Sequence, residues 1–259
     1  MKKIIDLMRV DLISAKGRNK GRFIVMLVLT AMFVGIGFLT ESIFMEFSII
    51  VIGVMLVPFI TMAEKTHNAG KIFTVIPIDR KSLVISRFAL TTVIYTVFSA
   101  IIFILYLIME KFSSLHGLTI SKDINELYEK TSGFGTGIQL KALETSMFWL
   151  IFAVTLMVMA GQLRKYFKKG LSSKNNSMLL SFLKVLGGIA LVYAIGAVII
   201  LIFNVDILKP AFIVYMNMIL ALAAPMNGLL LSIVFIFIGF GFTLYQLVCS
   251  AVDYEAREL

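Results

Sequence analysis

The sequence predicts an all-α polytopic membrane protein with an N-terminal in-plane amphipathic helix, six transmembrane helices and a re-entrant half-helix before the last span. Three observations carry this expectation. Of the 259 residues, 59% are hydrophobic and only 15% charged, and the mean hydropathy of +0.97 lies far above that of a soluble domain. Uncharged apolar runs of about 20 residues, enough to cross roughly 30 Å of hydrocarbon as a helix, recur along the whole chain. Lys and Arg, finally, collect in alternate loops. A disordered chain, a disulfide scaffold and an ordinary cytosolic enzyme are excluded by this composition. The single cysteine, Cys249, has no internal partner, so nothing in the fold depends on an oxidising compartment. Residues 1–259 read as one transmembrane domain.

Within residues 1–20, Ile4, Ile5, Met8, Leu12 and Ala15 fall on one helical face, with Lys2, Lys3, Asp6 and Arg9 largely off it. An in-plane helix on a lipid surface requires that pattern, whether as a simple anchor for the first span or more. Asp6, Arg9 and Asp11 interrupt the apolar run after Lys2-Lys3, so no cleaved secretory signal is expected. Five spans are expected at 23–40, 47–63, 88–109, 145–163 and 185–205. The stretch 210–252 is roughly twice too long for one crossing at about 1.5 Å per residue. It breaks at Pro225-Met226-Asn227-Gly228, where a proline removes a backbone donor and a glycine permits a turn. This leaves 228–248 as the sixth span and 211–227 as a re-entrant segment, its helical part 211–224 being too short to cross.

Lys and Arg number seven before the first span, none between the first two, five in 64–87, four in 110–142, six in 164–184, and one each at Lys209 and Arg257. With the N-terminus inside, 19 fall on the cytoplasmic side and 5 outside, as the positive-inside rule requires. Both termini are then cytoplasmic and 110–142 is an extracellular loop. The net charge of +9 describes an inner-leaflet surface, and no nucleic-acid site is expected.

Chemistry of the familiar kinds is missing from the pattern. The glycine-rich run Gly133-Phe134-Gly135-Thr136-Gly137 lacks the lysine a phosphate-binding loop needs, so no ATP hydrolysis is expected from this chain. His67 and His116 are far apart in the predicted topology, and no metal or cofactor is expected. None of the expected spans holds Asp, Glu or His between its ends, which disfavours intramembrane proteolysis and proton coupling. The mid-span polar groups, Thr30, Ser48, Thr92, Thr96, Ser99, Thr155 and Ser232, read as helix-packing bonds or as lining of a pathway.

The most specific segment is Glu64-Lys65 followed by Gly70-Lys71-Ile72-Phe73-Thr74-Val75-Ile76-Pro77-Ile78-Asp79-Arg80-Lys81 and, further on, Arg87. It resembles the loop between the second and third spans of type-2 ABC-transporter permeases: a Glu, an apolar run ending in a Pro pair, then basic residues. Glu64, Ile76-Pro77, Asp79, Arg80 and Arg87 carry the match, with Ile76 where leucine is usual. The order of elements agrees along the whole chain, which resembles the small bacterial permeases paired with a separately encoded ATPase, including those exporting phenol-soluble modulins and other antimicrobial peptides.

The resemblance implies a plasma-membrane permease subunit, paired as a dimer with a second copy. Two separately encoded ATPase subunits would bind the ATP and Mg. It further implies a hydrophobic or amphipathic cargo, with peptides among the candidate classes, moved outward. It makes 64–87 the coupling loop, with Glu64, Lys71, Pro77, Ile78, Arg80 and Lys81 as the ATPase-coupling residues. Physically, Pro77 fixes a bend and Arg80 and Lys81 present charge while Ile78 packs. The same cations also fit a plain positive-inside cluster, and Glu64 also fits a solvated helix end. The small-residue pairs Ala31/Gly35 and Ala190/Ala194 allow close helix approach. They lie on the first and fifth spans, which meet across the dimer in the family. Arg164-Lys165-Tyr166-Phe167-Lys168-Lys169 reads as an inside anchor facing lipid headgroups, with Trp149 and Tyr166 as interfacial aromatics. A self-sufficient secondary carrier and a membrane scaffold or sensor remain the competing classes.

Overall fold

A computed structural model describes residues 2–18, 20–40, 43–65, 79–116, 137–169 and 228–255. Every element among them is an α-helix: α1 (Lys2–Arg18), α2 (Lys20–Thr40), α3 (Ile43–Lys65), α4 (Arg80–His116), α5 (Gly137–Lys169) and α6 (Leu229–Glu255). Three segments are long and apolar enough to cross a membrane: Arg80–Met109, Thr145–Lys168 and Leu229–Glu255. Helices α2 and α3 contain the shorter apolar stretches Ile24–Gly37 and Glu46–Thr61. The expected fifth span at 185–205, the re-entrant segment 211–227 and most of the loops lie outside the described residues.

Helices α4 and α5 run well past the apolar stretches that mark them in the sequence. At 37 residues α4 is about 55 Å long, and it is helical from Arg80, whereas the sequence places 64–87 in a loop. Hydropathy marks only the part of a helix suited to hydrocarbon, and hydrogen bonding continues into the flanking polar turns. The start of α4 is set by Asp79, whose carbonyl accepts from the Leu83 amide at 3.2 Å and whose carboxylate accepts from the Ser82 hydroxyl at 3.2 Å. Likewise α5 continues through 164–169, a stretch expected as loop, and the 110–142 loop is helical at both ends.

The core is built around α3 and α5. From Ser48 to Val54 every α3 side chain is buried, and α3 packs on α2, α4 and α5, while α5 packs on α6 along its other side. Close approach depends on two glycines. A Cβ on Gly53 would collide with Thr155 Cγ2 and stand 3.1 Å from the Tyr95 ring. One on Gly239 would meet the Ala153 Cα at 3.1 Å. Between these contacts runs an aromatic stack, with Tyr95 and Phe152 at 5.1 Å and Phe103 and Phe148 at 5.0 Å between ring centroids. Trp149 lies half-buried against Phe103, with 5.0 Å between ring centroids. Buried hydroxyls close onto carbonyls of their own helices, as Thr61 does to Val57 at 2.8 Å and Thr243 to Gly239 at 2.8 Å. Gly228 adopts a φ of 78° immediately before α6, the permissive turn that its place in the Pro225–Gly228 break predicts.

Helix α1 meets the bundle by one edge of its apolar stripe. Asp11 is buried and Ile4, Leu7 and Met8 are partly covered, whereas Ile5, Leu12 and Ile13 are exposed. The seam therefore runs through Ile4, Leu7, Met8 and Asp11, which leaves Ile5 and Leu12 of the expected lipid-facing stripe exposed.

Candidate functional site

One end of the bundle gathers the N-terminal turns of α4, the C-terminal turns of α5 and α6, and the middle of α1. Its centre is Arg87, with 1% of its surface exposed. Val84, Arg87, Phe88, Thr91 and Tyr95 recur at three- and four-residue spacing and are all buried, so Arg87 lies on the inward face of α4. Its Nε donates to Asp11 Oδ2 at 3.4 Å, and its guanidinium donates to the Tyr166 hydroxyl at 2.9 Å. The guanidinium also lies 5.5 Å from the Tyr166 ring and 6.0 Å from the Phe167 ring. Burial pushes the Asp11 carboxyl above the ordinary carboxylate range, and the Arg87 charge and hydrogen bond pull it back only in part.

A second, more exposed layer ties α4 to α6. Arg80 donates to the Tyr254 carbonyl at 3.5 Å and stands 5.9 Å from the Tyr254 ring, while Lys81 pairs with Glu255 at 3.0 Å. On α5, Arg164 bridges to α6 twice, to Asp253 at 3.2 Å and to the Gln246 side-chain oxygen at 3.2 Å. The rings of Phe167 and Tyr254, 5.4 Å apart, join the two layers. Surface pairs of this kind weaken with salt and contribute little individually. Their effect is to hold the last turn of α6 over the first turn of α4.

The residues expected to couple to an ATPase divide accordingly. Arg80 and Lys81 sit together in the first turn of α4, both engaged by the end of α6. Glu64 lies in the last turn of α3, and Lys71, Pro77 and Ile78 are outside the described residues. Of the candidate dimer contacts, Ala31 and Gly35 lie on an exposed face of α2, with open space around a Cβ built on Gly35, and Ala190 and Ala194 are outside the described residues.

Several residues of this end escape a reading by residue type. Asp11, Gln246, Asp253 and Tyr254 have no motif spacing, and Tyr166, expected to face the lipid interface, is buried on Arg87. A signal existed for Arg87 and Asp11, since each falls at helical spacing within an otherwise apolar stripe. Among the described residues, no group of three or more His, Cys, Asp or Glu converges as a metal site would. Comparison with protein-family models, with curated proteins and with solved structures finds no match to this chain.

Proposed function

We propose that this chain is the membrane-embedded permease subunit of an ATP-driven exporter, working as a homodimer in a bacterial plasma membrane. A separately encoded ATPase supplies the energy and holds the ATP and Mg. In this reading the chain crosses six times with both termini in the cytoplasm, a re-entrant segment at 211–227 precedes the last span, and the cargo is hydrophobic or amphipathic, with a peptide as its leading class. The observation that carries the proposal is the 64–87 segment: an acidic helix end, an apolar run closed by Pro77, and the basic pair Arg80 and Lys81. The positive-inside count supports the orientation, because the end of the bundle holding Arg80, Arg87 and Arg164 is then cytoplasmic.

The mechanism follows from stiffness. Arg80 and Lys81 occupy the first turn of a 37-residue helix, so a displacement of the preceding loop is delivered along α4 as along a lever. Closure of the ATPase pair around nucleotide moves the two loops, and the spans rock between inward- and outward-open arrangements. Nothing in this chain need touch nucleotide.

Gentle affinity purification from native membranes, with partners identified by mass spectrometry, tests the proposal. A soluble ATPase is expected with the wild-type chain, to be lost with Arg80→Glu and retained with Tyr254→Ala. The latter removes the internal ring partner of Arg80 and leaves its charge. Absence of an ATPase from intact wild-type complexes refutes the reading and makes ion-gradient transport the next test.

A further inference from the structure

The Asp11–Arg87 pair stands where two apolar side chains would be less costly. Both residues are buried, and the contact between Arg87 Nε and Asp11 Oδ2, 3.4 Å, is longer than a strong charge-assisted bond. Replacing a buried ion pair by well-packed apolar residues is often neutral or stabilising, and the best-attested use of such a pair is to select one register among several.

Helix α1 is an element that needs such selection. Ile4, Leu7 and Met8 line the side that faces the bundle, and the exposed Ile5 and Leu12 continue the apolar arc beyond it, before the exposed Asp6 and Arg9 on the far side. A helix whose apolar arc is wider than its seam can roll within that arc with little change in buried apolar area. Only one rotation and one axial position bring Asp11 to Arg87. The acceptor site is itself rigid, since the Tyr166 hydroxyl holds the Arg87 guanidinium, two rings flank it, and the Thr91 hydroxyl donates to the Arg87 carbonyl at 2.7 Å.

We propose that Asp11–Arg87 is a register pin: it chooses the face and axial position of α1 and joins α1 to the first two turns of α4 as one moving body, without adding net stability. Arg80 lies seven residues before Arg87, about two turns or 10 Å along the same rigid helix. A force applied at the start of α4 therefore reaches α1 through Asp11. This holds whether or not the chain couples to an ATPase.

The test uses the full chain in lipid nanodiscs with Cys249→Ser, carrying one nitroxide label at a time at Leu7, Met8, Val10, Leu12 or Ile13. With the pair intact, labels at Leu7 and Met8 are expected to be immobilised and those at Val10 and Ile13 mobile. In the paired variant Asp11→Leu/Arg87→Met this alternation is expected to disappear while the melting temperature is equal or higher. Alternation that persists in the paired variant overturns the proposal, as does its absence with the pair intact. A paired variant that fails to fold, or melts as low as Arg87→Met alone, also overturns it, because the pair then stabilises rather than selects.

Discussion

Arg87 of α4 donates to the Tyr166 hydroxyl of α5 at 2.9 Å, and the same tyrosine ring lies 5.5 Å from the guanidinium it receives. One side chain thus supplies both a hydrogen-bond acceptor and a π-face to a buried cation. The two contributions separate experimentally. Tyr166→Phe keeps the ring and loses the oxygen, and is expected to cost about 1.5–3 kcal/mol, the range for a hydrogen bond to a charged group. Tyr166→Ala loses both and leaves a cavity, with an expected cost of about 3–5 kcal/mol. Reversible thermal or denaturant unfolding in nanodiscs reads both, and equal losses would show that the ring contributes nothing.

Gly53 is pressed between Thr155, Tyr95 and Met159. Gly53→Ala is expected to destabilise the bundle by about 1–3 kcal/mol through overpacking. Thr155→Ser removes the colliding methyl and keeps the hydroxyl, so the double variant should recover part of the loss. A double-mutant cycle that shows simple additivity would place the strain elsewhere.

Gly35 has open space where a Cβ would stand. Gly35→Ala is therefore expected to change stability by no more than about 0.5 kcal/mol. If Ala31 and Gly35 form a seam between two copies, Gly35→Leu should shift the particle from dimer to monomer in mass photometry. An unchanged dimer removes this pair from the interface.

Burial holds the Asp11 carboxyl above its ordinary value of 3.8 in the folded chain. A group with a raised folded pKa contributes stability that is fully present below its unfolded value and is lost as pH rises through the folded one. The wild-type melting temperature is thus expected to fall relative to that of Asp11→Asn as pH rises from about 4 through the raised pKa. Parallel pH profiles for the two proteins would show that Asp11 titrates normally.

Much of the helical architecture was legible in advance. The apolar stretches at 88–109 and 145–163 fall inside α4 and α5, and 228–248 all but its first residue inside α6, since transfer of about 20 residues into hydrocarbon dominates any local preference. Helix ends were less legible. The charge in 80–87 and 164–169 reads as loop, yet charge at a helix end costs the backbone nothing when the side chains find partners. Of the polar end, Arg80 and Lys81 were singled out for their basic character, but their partners Tyr254 and Glu255 lie more than 170 residues away with no spacing to announce them.

By itself, the sequence determined that this chain is helical, that it carries helices apolar enough to cross a membrane, and that its cations cluster by loop. These properties depend on composition and on runs of contiguous residues, which hydropathy reads directly. Only the tertiary structure decided that α1 turns Asp11 rather than Leu12 toward the bundle, that Arg87 is buried among aromatics, and that Gly53 and Gly239 set the helix spacing. Those outcomes depend on which distant side chain completes a charge or fills a gap. Such pairings are products of packing in three dimensions, and no local pattern encodes them.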